Sequence, residues 1–287
     1  MIEVKKDILK TIYLPRPQEA KKYDFGLLLV IGGSQFYSGS PALSALAAFR
    51  SGCDMVRIIA PKRAADIAAS FSPILAAYPL EGDWLEKKHL STLLSLAESA
   101  REVSRGKTAI VIGGGLGRSE MTQSAIVDFL SENTLPAVID ADAIHALAKN
   151  PVVIKGERSI VTPNLFEFRL LTGRDVQNLS DEDKAQVVQA EALKLQATIV
   201  LKGRNDIISD GKEVAINKTG GPYLAKGGTG DSLAGIAGAL LARGVEPFLA
   251  AQAAAYINGL AGETVAKKIG ESLTAIDLIE TIPEVIR

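Results

Sequence analysis

The residues with the most capacity for chemistry stand in one run, Lys226-Gly227-Gly228-Thr229-Gly230-Asp231-Ser232. Glycines let successive backbone N–H groups turn towards a common point. The apolar residues that follow, Leu233, Ile236, Ala237, Leu240 and Leu241, recur at i, i+3, i+4, i+7 and i+8, which predicts a helix. The glycine-rich run is expected to be the loop that enters it. A helix's first turn leaves N–H donors unpaired, and together with the loop they make an anion site, most simply for phosphate. Asp231 brings a carboxylate into that site. It is either a helix cap, because Asp is favoured at helix N-termini, or a group set beside a bound phosphate to do chemistry.

Other clusters of glycine and acid follow short apolar runs of the kind that form strands buried on both faces. Gly26–Ile31 runs into Gly32-Gly33-Ser34, and Pro41 then opens a helix over Ala42–Ser51. Met55–Ala60 predicts a strand ended by Pro61, and residues 62–103 read as helical with breaks at Pro73, Pro79 and Gly82. Ala109–Ile112 runs into Gly113–Gly117, with a helix from Ser119. Ala137–Ile139 delivers Asp140 and Asp142, and Ser159–Val161 delivers Thr162-Pro163-Asn164 ahead of a helix through Leu171. Ser180 starts a helix to about Gln196, and Thr198–Leu201 ends in Lys202-Gly203-Arg204-Asn205-Asp206. Asp206–Ser209 and Glu213–Ile216 pair as a hairpin turning at Asp210-Gly211. This alternation predicts an α/β fold, a mostly parallel central sheet with helices on both faces, formed as one domain over residues 1–287. The clusters then share the sheet's C-terminal edge, where such folds bind ligands, and this favours a nucleotide-using enzyme.

Each cluster also has a plainer reading. Gly113–Gly117 can also be read as a tight strand-to-helix turn, and Asp140 and Asp142 as a cap and a solvated acid. His89 and His145 lack metal-ligand spacing and read as ordinary residues. Gly-x-x-x-x-Gly-Lys-Ser/Thr does not occur, and Gly113-x-Gly115-x-x-Arg118 misses the third glycine of the dinucleotide fingerprint. With 287 residues, 47% of them hydrophobic, the chain can bury a large core, and a formal net charge of −1 gives no reason to expect nucleic acid or an anionic membrane. The lone Cys53 excludes an internal disulfide, and no apolar leader or spanning segment is evident, so a cytoplasmic protein is expected.

Taken together and in order, these segments resemble the ADP/ATP-dependent NAD(P)H-hydrate dehydratases of the ribokinase-like superfamily. Lys226–Asp231 is similar to the superfamily's Gly-Thr-Gly-Asp signature. Val30–Ser34 with Gly39–Ala42, Gly113–Gly117, Val138–Ala143, Thr162–Phe168, Val200–Gly203 and Gly259–Glu263 match family segments across about residues 20–265. Asn164 stands where the family has His, Gly114 where it has Pro, Leu165 and Phe166 where it has Pro-Gly, and Ser232 where Val is common. The resemblance implies repair of hydrated NADH or NADPH. ADP or ATP, with Mg²⁺, phosphorylates the ring hydroxyl, and phosphate then leaves.

On this resemblance Asp231 is the catalytic residue, accepting the hydroxyl proton, and also touches substrate. Lys202, Gly203, Arg204, Asn205, Asp206, Gly228, Thr229 and Gly230 hold the nucleotide, Ala42, Gly117 and Asn164 face the substrate, and no side-chain metal ligand is assigned. A homo-oligomer is expected, without the epimerase domain that some members carry. A helix N-terminus lowers the pKa of an acid, so Asp231 is expected to be a weak base. The alternative function is a small-molecule kinase of the same fold, with a stable phosphate ester as product. A non-catalytic nucleotide binder is a third class, and Asp231 argues against it.

Overall fold

Apolar side chains leave both faces of the central strands, and this decides the architecture. The computed structural model describes residues 1–154, 156 and 158–287. These form a ten-stranded sheet of β1 (Ile2–Glu3), β2 (Leu27–Ile31), β3 (Met55–Pro61), β4 (Ala76–Leu80), β5 (Thr108–Ile112), β6 (Ala137–Ile139), β7 (Ser159–Val161), β8 (Thr198–Leu201), β9 (Asp206–Ser209) and β10 (Val214–Asn217). Between them run α1 (Asp7–Ile12), α2 (Gly39–Arg50), α3 (Lys62–Ser70), α4 (Leu90–Val103), α5 (Glu120–Glu132), α6 (Asp142–Leu147), α7 (Leu165–Thr172), α8 (Asp181–Leu195), α9 (Thr229–Ala242), α10 (Pro247–Ile269) and α11 (Ala275–Val285). In β2, Leu28 and Val30 join the core under α1–α3 and α9–α11, while Leu27, Leu29 and Ile31 join the core under α4–α8. A strand apolar on both sides is stable only between two helical layers.

The strand order is β1-β10-β9-β8-β7-β6-β5-β2-β3-β4. Pairing is parallel except where β9 meets β8 and β10. The chain winds outwards from β2 through β3 to β4, then returns to β2's other flank with β5 and winds away through β6, β7 and β8. The winding reverses between β2 and β5. The loops leaving those two strands diverge to opposite faces there, which opens a crevice at the sheet's C-terminal edge.

The structure departs from the sequence reading at four places. Residues 62–103 are not one broken helical stretch, because β4 lies inside them. Pro79 is tolerated since β4 is an edge strand, where a missing N–H costs little. The short β1 pairs with β10 without any apolar pattern to announce it. Helix α2 begins at Gly39, ahead of Pro41, because the amides of a first turn need no partner inside the helix. Helix α9 begins at Thr229, so Thr229, Gly230 and Asp231 belong to its first turn, and the entering loop is shorter than expected.

Candidate active site

The crevice between β2 and β5 is stitched at its floor. The Gly33 amide donates to the Gly114 carbonyl at 2.8 Å, and the Gly113 amide to the Ile31 carbonyl at 3.2 Å. Helix α9 points its N-terminus into this crevice. Gly228 sets its entry with φ +94°, and a Cβ there would lie 2.7 Å from Ala275 Cβ and 2.8 Å from Leu43 Cδ1. The first turn is then locked from several sides. Thr229 Oγ1 donates to the Leu224 carbonyl at 2.8 Å, Ser232 Oγ to Asn258 Oδ1 at 2.6 Å, and Asn258 Nδ2 to the Thr229 carbonyl at 3.2 Å. The amides of Gly228, Gly230 and Asp231 have no protein acceptor among the described residues. That leaves a fixed cradle of donors for an anion.

Asp231 is half-buried where α2 and the β5 loop meet this turn. Its carbonyl accepts from Ser44 Oγ at 2.9 Å, and the Ser40 hydroxyl lies beside its carboxylate. A Cβ on Gly114 would lie 2.7 Å from Asp231 Oδ1 and 2.9 Å from Ser40 Cβ, so the absent side chain at 114 leaves the acid its space. Burial, with the Asp140 carboxylate in support, pushes the Asp231 pKa up to about 7, against the pull of Ser40 and Lys202. The expectation of a lowered pKa is overturned. It rested on the helix terminus alone, and the opposing groups arrive from other elements.

Behind Gly230 stands a buried polar cluster. Asp140, 4% exposed, accepts from Thr162 Oγ1 at 2.7 Å and Lys202 Nζ at 2.9 Å through Oδ1. Glu167, 6% exposed, lies 3.9 Å from Lys202 Nζ, and burial raises its pKa. Burial works against the charge on Lys202, but Asp140 and Glu167 outweigh it and hold its pKa above the ordinary value. An ideal Cβ on Gly230 would be 3.6 Å from Lys202 Nζ and 3.9 Å from Asp140 Oδ2, so the cluster faces the cradle. No group of three or more His, Cys, Asp or Glu capable of holding a metal occurs among the described residues. Two carboxylates beside a phosphate cradle suit Mg²⁺, which keeps waters and shares phosphate oxygens rather than requiring a protein cage.

Of the other predicted site residues, some converge and some are engaged elsewhere. In the loop after β8, Asp206 Oδ1 accepts from the Gly203 amide at 3.2 Å and Oδ2 from Asn217 at 3.1 Å, and burial pushes its pKa up to about 6. Asn205 Nδ2 donates to Asp181 at 2.7 Å, and Arg204 is exposed. Asn164 caps α7, with Oδ1 accepting from the Glu167 amide at 2.9 Å and Glu167 Oε2 accepting from the Asn164 amide at 2.8 Å. The Asn164 Nδ2 group has no protein acceptor among the described residues. Ala42, in the first turn of α2, is 2% exposed and faces the core. The Gly117 amide donates to Asp142 Oδ2 at 2.9 Å, and Arg118 Nε donates to Oδ1 at 2.7 Å, so Asp142 ties two loops together and is not a solvated acid. Ser40, Glu167 and Trp84, whose indole packs on Gly117, were not picked out as site residues. Asp140 and Thr162 carried the signal of lying just after strands, whereas Trp84 lay in a stretch read as helical.

This geometry has close counterparts. Residues 28–284 match the family model described as NAD(P)H-hydrate dehydratase. A bifunctional NAD(P)H-hydrate repair enzyme of Pyrobaculum aerophilum is 44% identical over 276 residues, covering 95% of this chain and 52% of that protein. The chain thus spans about half the length of the bifunctional relatives it matches. An ADP-dependent (S)-NAD(P)H-hydrate dehydratase of Cenarchaeum symbiosum is 36% identical over 278 residues, covering 95% of this chain and 92% of that one. Among solved structures, the ADP/ATP-dependent NAD(P)H-hydrate dehydratase of Bacillus subtilis co-crystallised with ATP/Mg²⁺ superposes with TM-score 0.82 at 28% identity, covering 99% and 97% of the two chains. A ribokinase-like superfamily protein of Enterococcus faecalis superposes with TM-score 0.85 at 26% identity, covering 99% and 95%. With a matching family model over most of its length and the sheet order and α9 cradle described above, the chain belongs to the NAD(P)H-hydrate dehydratase family and has the ribokinase-like fold.

Proposed function

We propose that this chain dehydrates hydrated NADH and NADPH, with ADP or ATP as phosphoryl donor, and that residues 1–287 act as one catalytic domain. The donor's phosphoryl group goes to the hydroxyl of the hydrated ring. The C–O bond then breaks, phosphate leaves with the bonding pair, and loss of a ring proton restores the reduced nicotinamide. The observation that carries this reading is Asp231, a half-buried carboxylate beside free first-turn amides at the sheet's switch point.

Asp231 accepts the hydroxyl proton as the oxygen attacks. A pKa of about 7 is well matched to that task near neutral pH, since a base works best when its pKa lies near the operating pH. The nearby Ser40 hydroxyl favours the ionised carboxylate. The amides of Gly228, Gly230 and Asp231 stabilise the charge on the transferring group, and phosphoryl transfer depends mainly on such positioning. Lys202, held by Asp140, adds positive charge behind Gly230, and the 203–206 loop borders the donor. Asp140 and Glu167 are the residues that would hold Mg²⁺, which would neutralise charge on the phosphates. Asn164 retains a free amide for the substrate, and the Gly117 loop flanks it. We further propose a cytoplasmic location, consistent with a free, buried Cys53, and assembly as a homo-oligomer; among the described residues no helix is long and apolar enough to cross a membrane.

The test is product analysis after incubation with hydrated NADH, Mg²⁺ and ADP or ATP. Free inorganic phosphate in step with recovered NADH is expected. A phosphate ester that persists would assign the site to a kinase instead.

A further inference from the structure

One loop runs from the acid to a group of aromatic side chains that the mechanism above does not use. Gly114 meets Asp231. Gly115 meets Tyr37, whose Cβ would lie 2.8 Å from a Cβ at 115, and Gly117 meets Trp84, whose Cζ3 would lie 2.7 Å from a Cβ at 117. The two loops that bring these aromatics are fastened to each other. The Gln35 amide donates to the Asp83 carbonyl at 2.8 Å, Arg63 Nη1 donates to the Gln35 carbonyl at 2.6 Å, and the Ser34 amide donates to the Tyr37 carbonyl at 2.7 Å. Phe36 and Tyr37 meet edge to face, centroids 4.8 Å apart at 81°, yet are 76% and 57% exposed. Fixing an exposed aromatic pair on a tied loop favours a surface that receives something planar and apolar.

We propose that Trp84, Phe36 and Tyr37 form a stacking wall for the adenine end of the dinucleotide substrate. This rests on the dehydratase reading and extends it. The wall stands beyond β2 towards β4, whereas Lys202–Asp206 follows β8 on the opposite flank of Asp231, so the wall is on the acceptor side and not the donor side. With the reacting ring at Asp231 and Gly114, the rest of the dinucleotide leaves along Gly115–Gly117. The hydrated ring is partly saturated and puckered and stacks poorly, while a purine is flat and offers a full π-face. The exposed cations Arg63 and Arg118 flank the same path, where a diphosphate would cross.

The test compares hydrated NADH with the hydrated reduced nicotinamide mononucleotide, which keeps the ring and lacks the adenosine. In Phe36→Ser and Trp84→Leu the KM for hydrated NADH should rise roughly 5- to 20-fold, as expected for losing a base–aromatic stack. The KM for the mononucleotide and for the donor nucleotide should stay within twofold (about the scatter of such comparisons). Equal losses with both substrates would overturn the wall, and so would no loss with either. Phe36 is so exposed that its variant tests the idea even if Trp84→Leu fails to fold. A change in oligomeric mass in Phe36→Ser with unchanged KM would identify an interface between copies and overturn the proposal. Trp84 is the only tryptophan, so its fluorescence gives a reading independent of turnover. Intact NADH should quench it in the wild type and more weakly in Phe36→Ser, and absence of quenching by NADH would overturn the wall. If neither substrate turns over while NADH still quenches Trp84, and quenches it more weakly in Phe36→Ser, the reaction assignment fails and the wall stands.

Discussion

Asp231 carries two opposite consequences of one raised pKa. A carboxyl whose folded pKa is about 7, against 3.8 ordinarily, holds its proton more tightly when folded. Its stabilising effect is therefore present below the lower value and is lost as pH rises to the upper one. Asp231→Asn keeps the shape without the charge, so it should gain roughly 1–2 kcal/mol of stability at about pH 8, with the gain shrinking towards about pH 5. Denaturant melts at the two pH values measure this, and an equal effect at both would mean that Asp231 has an ordinary pKa. For activity the sign reverses, because the base must be ionised: kcat/KM should climb with an apparent pKa of about 7. Gly230→Ala is a second residue-scale case. Its Cβ meets nothing closer than 3.6 Å, and Ala suits a helix better than Gly by about 1 kcal/mol, so folding should hold. The methyl projects towards the Lys202–Asp140 pair, where the phosphate must come, so turnover should fall by about 10- to 100-fold. Unchanged kinetics would remove the cradle. For Asn164→Ser, serine caps nearly as well, so the melting temperature should hold while KM for hydrated cofactor rises roughly 2- to 10-fold through loss of the Nδ2 donor. An unchanged KM would leave Asn164 as a cap only.

At the scale of elements, α9 is aimed by its contact with α2. Gly235 lies against the Ser44 backbone, and an added Cβ would overlap the Ser44 carbonyl. Gly235→Ala should therefore force the two helices apart, costing about 2–3 kcal/mol and reducing turnover by displacing Asp231 from Ser40 and Gly114. Calorimetry with a parallel rate assay tests this, and a stable variant of normal activity would show that the packing has slack. The same elements show what could be read from the chain. Strands such as β2 and β5 announced themselves as unbroken apolar runs, and Ser119 and Ser180 marked helix starts that the structure keeps. Strand β4 was hidden because an edge strand needs no such run and tolerates Pro79. The start of α9 was hidden because three of its first residues look like loop until α2 and α11 hold Gly228 in place.

Across the whole molecule, the strand order decides which clusters become a site. Each cluster could be recognised as following a strand, but the reversal between β2 and β5, which sets Gly114 opposite Asp231, follows from crossovers that no local pattern encodes. For the same reason the pKa of Asp231 could not be read from its helix alone, since the burial that raises it, and Asp140 in support, come from distant elements. The most direct measurement is recovery of the reduced ring's absorbance from hydrated NADH, with Mg²⁺ and each of ADP and ATP, for the wild type and Asp231→Asn side by side. The account predicts that absorbance returns in step with released phosphate for the wild type, and that Asp231→Asn loses at least about 100-fold in rate while binding donor nucleotide within a few-fold. A wild type that restores no absorbance, or an Asp231→Asn variant that restores it at a near-normal rate, would contradict it.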